Sequence, residues 1–192
     1  GVDLEMIIID PHFNAPDGLT TWLKPALNHP AIVKKVLGTK AIKQGAVTVC
    51  LKALHTEAEH RQETGTDTPL KVLVIDELRL LCRDKKHGPE NYELLVELLN
   101  DRKFGIFCLY VSQDYTAKAL GGTGISGLGC SSLVLNSKES KARVLLEEDS
   151  KKAVNLPKGQ AVFSLPGSES VIVNIPAVSV RDLEPFETSE TA

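Results

Sequence analysis

Aromatic residues are scarce in this chain: one Trp, three Tyr and five Phe among 192 positions. Proteins that grip unpaired nucleic-acid bases do so largely by stacking them on aromatic rings, and this sequence has little to offer for that. An excess of charge of one sign is missing too. Lys and Arg number 22 against 25 Asp and Glu, a formal net charge of −3, so no global field draws the chain towards nucleic acid, and any such contact needs a local basic patch or a pore built by several copies. The four cysteines, Cys50, Cys82, Cys108 and Cys130, form no CxxC pair and no Cys/His cluster, which excludes a zinc framework or disulfide scaffold and leaves them as reduced, structural thiols. No apolar run approaches the ~20 residues of a membrane-crossing helix, and residues 1–5 have neither the basic start nor the apolar stretch of a signal peptide. The expected location is the cytoplasm. Methionine occurs once, at Met6, and the chain opens on Gly1; no natural start is visible, and a truncated product is expected.

What is present is a 42% hydrophobic content, enough for a core without disulfides or metals at this length. One domain over residues 1–180 is expected, with a polar tail at 181–192. Leu4 to Asp10 reads as a short strand buried on both faces. Residues from about Gly38 to Glu63 read as one long helix, with Ala46, Val49, Cys50, Ala53 and Leu54 at helical spacing and Gly65 as its stop. Val72 to Ile75 is a second buried strand that runs directly into Asp76-Glu77. Glu90 to Arg102 carries Leu94, Leu95, Leu98 and Leu99 on one helical face, and Ile106 to Ser112 gives a third strand closed by Gln113 and Asp114. A glycine-rich connection at 121–129 leads to a fourth strand at Leu133 to Asn136 and a helix from Glu139 to Glu148. Ala161 to Leu165 and Val171 to Ile175, around Pro166-Gly167-Ser168, form an antiparallel hairpin. Strands alternating with helices predict an α/β fold with an open, mostly parallel sheet covered on both faces, whose ligands sit beyond the carboxyl ends of the strands. Asp10, Asp76, Glu77, Ser112, Gln113 and Asn136 occupy those ends and should share one edge.

An apolar strand ending in Asp-Glu suits ATP hydrolysis: the aspartate holds the Mg²⁺ shell and the glutamate polarises the attacking water. The same pair can equally cap the next helix or face solvent. Ser112-Gln113 at the end of the following strand adds an amide that could touch a γ-phosphate or orient the water. Taken singly, Gln113 reads as a surface amide, and Asp10 as the start of a turn with Pro11.

Order and spacing carry more. The segment VLGTKAIKQGAVTVCLKALHTEAEHRQE at 36–63, with LKVLVIDELRLLC at 70–82, resembles the helix and Walker B strand of FtsK/SpoIIIE and HerA-type DNA pumps. ELLVELLNDRKFGIFCLYVSQD at 93–114 is similar to the helix, Arg-x-x-Gly turn and sensor strand of that family. LVLNSKESKARVLL and LPKGQAVFSLPGSESVIVNIP resemble its last core strand, helix and closing hairpin. The resemblance spans nearly the whole chain. It implies a RecA-like three-layer P-loop ATPase domain with ATP and Mg²⁺ as cofactors. Asp76 and Glu77 would be the metal-holding and water-activating residues, Gln113 the sensor, Asp10 and Ser112 contributors to nucleotide binding, and Arg143 an arginine acting on a neighbouring subunit's nucleotide. A homo-oligomeric ring, a hexamer in the usual case, and DNA as cargo are implied in the same way. A pore loop is expected at 83–90 or 121–129.

Two features depart from the family. Its opening strand, GxxxxGK followed by Ser or Thr, and helix, whose backbone N–H groups and lysine cradle the phosphates, do not occur in this sequence; Gly121-Gly122-Thr123-Gly124 lacks the Gly-Lys pair. The missing strand would lie between those at 106–112 and 133–136, leaving two unpaired edges, poor stability and weak ATP binding in the chain alone. Ser131-Ser132 stands where translocases often carry arginine. A second expectation is therefore a non-hydrolysing subunit of the same fold that docks on an active ATPase.

Overall fold

The computed structural model describes residues 3–16, 18–19, 32–100, 104–122, 125 and 130–177. Residues 1–113 and 114–178 form two compact units, and the tail at 181–192 lies outside the described residues.

The first unit is a four-stranded parallel sheet. Its strands are β1 (Leu4–Ile9), β2 (Val33–Leu37), β3 (Leu70–Ile75) and β4 (Ile106–Tyr110), in the order β2-β1-β3-β4. β1 and β3 run in step, with Ile9 opposite Ile75, and Ile75 is in turn opposite Tyr110 of β4. Ile8, Ile9 and Ile75 are fully buried, as the β-branched runs predict for central strands. β2 was not anticipated from the sequence. Its Lys34 and Lys35 are exposed because it is an edge strand, where lysines are tolerated and discourage further pairing; the charge pair hid the alternation that reveals a strand.

The single helix expected over 38–63 is two helices, α1 (Thr39–Lys43) and α2 (Ala46–Thr64). Gly45 breaks them, with φ +76°, in the left-handed region glycine tolerates. A Cβ there would lie 2.8 Å from the His87 ring. The buried stripe of α2 is Val47, Cys50, Leu51, Leu54, Ala58 and Arg61, whereas Val49, assigned to the core from spacing, is 67% exposed. Gly65, with φ +68°, ends α2 as expected. α2 packs on α4 (Gly88–Asn100), whose Leu94, Leu95, Leu98 and Leu99 are all buried, the leucine face predicted from their spacing. Between β3 and α4 lies the short α3 (Leu78–Cys82).

One cation joins helix and sheet. Arg61 is 3% exposed; its Nε and Nη2 donate to Glu57 Oε1 at 3.1 and 2.7 Å, Nη1 to the Phe104 carbonyl at 3.0 Å and Nη2 to the Pro69 carbonyl at 2.8 Å. Lys71 of β3 completes the cluster with Glu57 at 2.7 Å and Glu5 at 3.1 Å. The starts of β3 and β4 are thus tied to the end of α2.

The second unit contains α5 (Ala117–Leu120), β5 (Ser132–Val134), α6 (Glu139–Leu146), a 3-10 segment over Glu147–Ala153, and the hairpin β6 (Gln160–Ser164) and β7 (Val171–Asn174). Its sheet, β5-β6-β7, is antiparallel. Val134, Ala142, Leu146, Ala153, Leu156 and Val162 form its core. The hairpin matches the sequence expectation, but β5 does not extend the parallel sheet: among the described residues it pairs with β6, and β4 pairs with β3. The lack of a β4–β5 pair among the described residues agrees with the strand expected to be missing between them, whereas the antiparallel pairing of β5 with β6 was not anticipated. Asn136, just past β5, belongs to this second unit.

Candidate functional site

Because β1, β3 and β4 are parallel neighbours, their carboxyl ends open on the same edge of the first unit. Backbone hydrogen bonds carry the ladder past the strands: Asp76 N–H donates to the Ile9 carbonyl at 2.9 Å, Val111 N–H to Ile75 at 2.8 Å and Leu78 N–H to Val111 at 2.9 Å. Asp10, Asp76-Glu77 and Ser112-Gln113 are therefore fixed side by side, although more than 100 residues separate the first from the last. The five strand-end residues named from the sequence that lie in the first unit come together; Asn136 lies in the second unit.

Asp10 is fully buried, and its Oδ1 accepts the His12 backbone N–H at 2.7 Å, which makes the Asp10-Pro11 turn. Asp76 is partly buried beside it. Burial, followed by the charges of Asp10 and Glu77, raises the Asp76 carboxyl above its ordinary value, against a lowering by the Glu77 backbone N–H and by His12. The carboxylates of Asp10 and Glu77 thus add to burial in opposing the charge on Asp76, and a cation bound at the end of β3 would relieve both. Among the described residues no three His, Cys, Asp or Glu side chains converge as a metal cage. Mg²⁺ suits this donor set, since it keeps several waters and is usually held by one or two carboxylates together with substrate phosphates.

Glu77 has φ +47° and ψ +50°, a left-handed conformation uncommon outside glycine and asparagine and one that often marks functional sites. It stands at the N-cap of α3, yet its side chain makes no capping hydrogen bond. The helix-capping alternative for this carboxylate is thereby removed. Instead, Gln113 Nε2 donates to Glu77 Oε1 at 2.7 Å, while Glu77 Oε2 is buried without a hydrogen-bond partner among the described residues. Sequence alone paired these residues by the order of the strands and gave no sign of a direct contact, because 36 residues separate them.

Arg143 lies in the second unit, on an exposed face of α6, and its Nη2 bonds Glu139 Oε1 at 2.8 Å. It borders an open depression of about 500 Å³ with Glu139, Glu147, Glu148, Ser150 and Lys151. Of the glycine-rich connection, residues 123–124 and 126–129 lie outside the described residues. The alternative pore segment, 83–90, is a tight turn over 83–87, in which Asp84 Oδ1 accepts the backbone N–H groups of Lys86 and His87, followed by the first turn of α4.

No family model matches this sequence, and no curated protein does. Solved structures do share its fold. The cytoplasmic domain of the Thermomonospora curvata type VII secretion ATPase EccC superposes with a TM-score of 0.71 over 98% of this chain and 24% of its own, at 19% identity. The pCW3 conjugation coupling protein TcpA, with ATPγS, gives 0.66 over 89% of this chain and 51% of its own, at 16% identity. The genome-packaging NTPase B204 of Sulfolobus turreted icosahedral virus 2, with AMPPCP, gives 0.60 over 92% and 85%, at 15% identity. At these identities it is the fold that is shared, an α/β arrangement of the RecA-like ATPase type. The chain spans about a quarter of the length of the EccC domain.

Proposed function

We propose that this chain is the Walker B and sensor portion of an ATP-driven motor domain of the FtsK/HerA kind. The carrying observation is the contact between Gln113 and a Glu77 held in a left-handed backbone at the end of a buried strand, next to the raised carboxyl of Asp76. Asp76 holds Mg²⁺ and Glu77 takes the proton from the attacking water. Asp10 and Ser112 border the nucleotide, and Arg143 acts on the nucleotide of a neighbouring subunit in a homo-oligomeric ring, a hexamer, in the cytoplasm. ATP bound with Mg²⁺ supplies the phosphoryl group whose cleavage drives movement. The phosphate-cradling GxxxxGK segment, which does not occur in these 192 residues, is supplied by residues outside them, so these residues alone bind ATP weakly. DNA is the proposed cargo, in keeping with the conjugation and genome-packaging neighbours; the secretion ATPase among them makes a polypeptide cargo the competing outcome.

The absence of GxxxxGK from the sequence also favours a second reading, a non-hydrolysing subunit that docks on an active ATPase. Turnover separates the two. In the full-length protein, Mg²⁺-dependent ATP hydrolysis should be stimulated by duplex DNA and fall at least about 100-fold in Glu77→Gln, as expected for loss of a general base. Hydrolysis unaffected by that substitution, or no hydrolysis at all, refutes the motor reading.

A further inference from the structure

We propose that Gln113 acts on hydrolysis through Glu77, as a positioning residue for its carboxylate, and not as a direct ligand of the nucleotide phosphates. This rests on the ATPase reading above and specifies how its sensor position works.

An ionised carboxylate has two acceptor oxygens and no donor. One oxygen of Glu77 is occupied by the Gln113 amide at 2.7 Å, which fixes the rotation of the carboxylate plane. The other, Oε2, is left buried and unpartnered among the described residues, with both of its lone-pair sites open to a proton from water, whereas Oε1 already accepts one hydrogen bond. Leaving a charged acceptor buried without a partner is costly, so the arrangement is poised to accept a hydrogen bond at Oε2. Geometry around the pair is stiff for reasons unconnected with any ligand: Val111 N–H to Ile75 at 2.8 Å and Leu78 N–H to Val111 at 2.9 Å staple the end of β4 to that of β3. The left-handed backbone at Glu77 turns the chain so that its side chain meets Gln113 and not the open N–H groups of α3.

A phosphate ligand and a positioning residue behave differently in a double-mutant cycle. ATP turnover and binding of a fluorescent ATP analogue would be measured on full-length wild type, Gln113→Leu, Glu77→Ala and the double variant, with Gln113→Glu as a second probe that keeps the shape and removes the donor. Gln113→Leu should lower kcat about 100-fold, the scale of a misplaced catalytic group, with KM changed by less than about twofold. In the Glu77→Ala background the same substitution should change neither residual turnover nor analogue affinity by more than about twofold. Gln113→Glu should lose at least as much kcat as Gln113→Leu. Weaker analogue binding by Gln113→Leu in both backgrounds, or losses that add in the double variant, places Gln113 on the phosphates and overturns the proposal. If both Gln113 variants keep wild-type kcat, it is likewise overturned. A wild-type protein without turnover refutes the ATPase reading and this one together, whereas turnover with additive losses refutes this one alone.

Discussion

Replacing Arg61 by methionine should cost the first unit about 3–4 kcal/mol. Methionine preserves most of the apolar stem, so the loss comes from the guanidinium. That group is 3% exposed and makes four hydrogen bonds, two to Glu57 and one each to the carbonyls of Phe104 and Pro69. Glu57 keeps Lys71 at 2.7 Å and is not left as a bare charge. The two carbonyls lose their guanidinium donor, at about 1–3 kcal/mol each, and the total falls at the lower edge of what breaking a buried ion pair costs. With a urea slope of about 2 kcal/mol per molar, the unfolding midpoint should drop by about 1.5–2 M. Equilibrium unfolding followed by far-UV circular dichroism on the full-length protein would measure it, and amide hydrogen exchange at residues 70–75 and 106–110 would place the loss in β3 and β4. A midpoint shift below about 0.5 M, or exchange that quickens elsewhere and not in these strands, would show that Arg61 does not hold the strand starts to α2.

Gly105→Ala should be harmful at the same junction: φ is +72° and a Cβ would lie 1.9 Å from the Asp67 carbonyl oxygen, so backbone strain and overpacking together predict a loss of about 2–4 kcal/mol, read from the same urea curves. Burial pushes the Glu57 carboxyl up, but hydrogen bonds from Lys71 and Arg61 outweigh it and hold the group below its ordinary value of 4.5. A depressed carboxylate stabilises the fold above the unfolded value and loses that contribution as pH falls through the folded one; wild type should therefore weaken more steeply than Glu57→Gln below about pH 4.5, in melting temperatures recorded across an acid series. Asp76 is the opposite case. Its raised carboxyl makes the charged form a cost to folding that is absent below the unfolded value and complete above the folded one, so Asp76→Asn should melt higher than wild type at pH 7, the gain vanishing below about pH 3.8, while Mg²⁺-dependent turnover is lost. A variant that melts lower at pH 7 would contradict the burial and neighbouring charges that raise Asp76.

Much of this molecule follows from local pattern. The β-branched runs at 4–9 and 72–75, the leucine face of α4 and the turn at 166–168 specify their elements because each is set by spacing within a few residues. The alternation of strands and helices was enough to predict parallel strands and a functional edge at their carboxyl ends, and Asp76-Glu77 stood out as the pair to place there. Interactions between distant segments were not legible. Whether residues 38–63 are one helix or two depends on Gly45 turning beneath His87, 42 residues later. The strand at Val33–Leu37 forms because β1 offers it an edge, which no pattern within VKKVL announces. β5 reads as one more strand of a parallel sheet, yet its partner is β6 in an antiparallel one, since strand pairing is fixed by which edges meet and not by composition. The sequence by itself determined which chemical groups stand at the strand ends. Only the tertiary structure decided that Gln113 bonds Glu77 and leaves its second oxygen unpartnered among the described residues, because that contact depends on two neighbouring strands held in register by the hydrogen bonds between them.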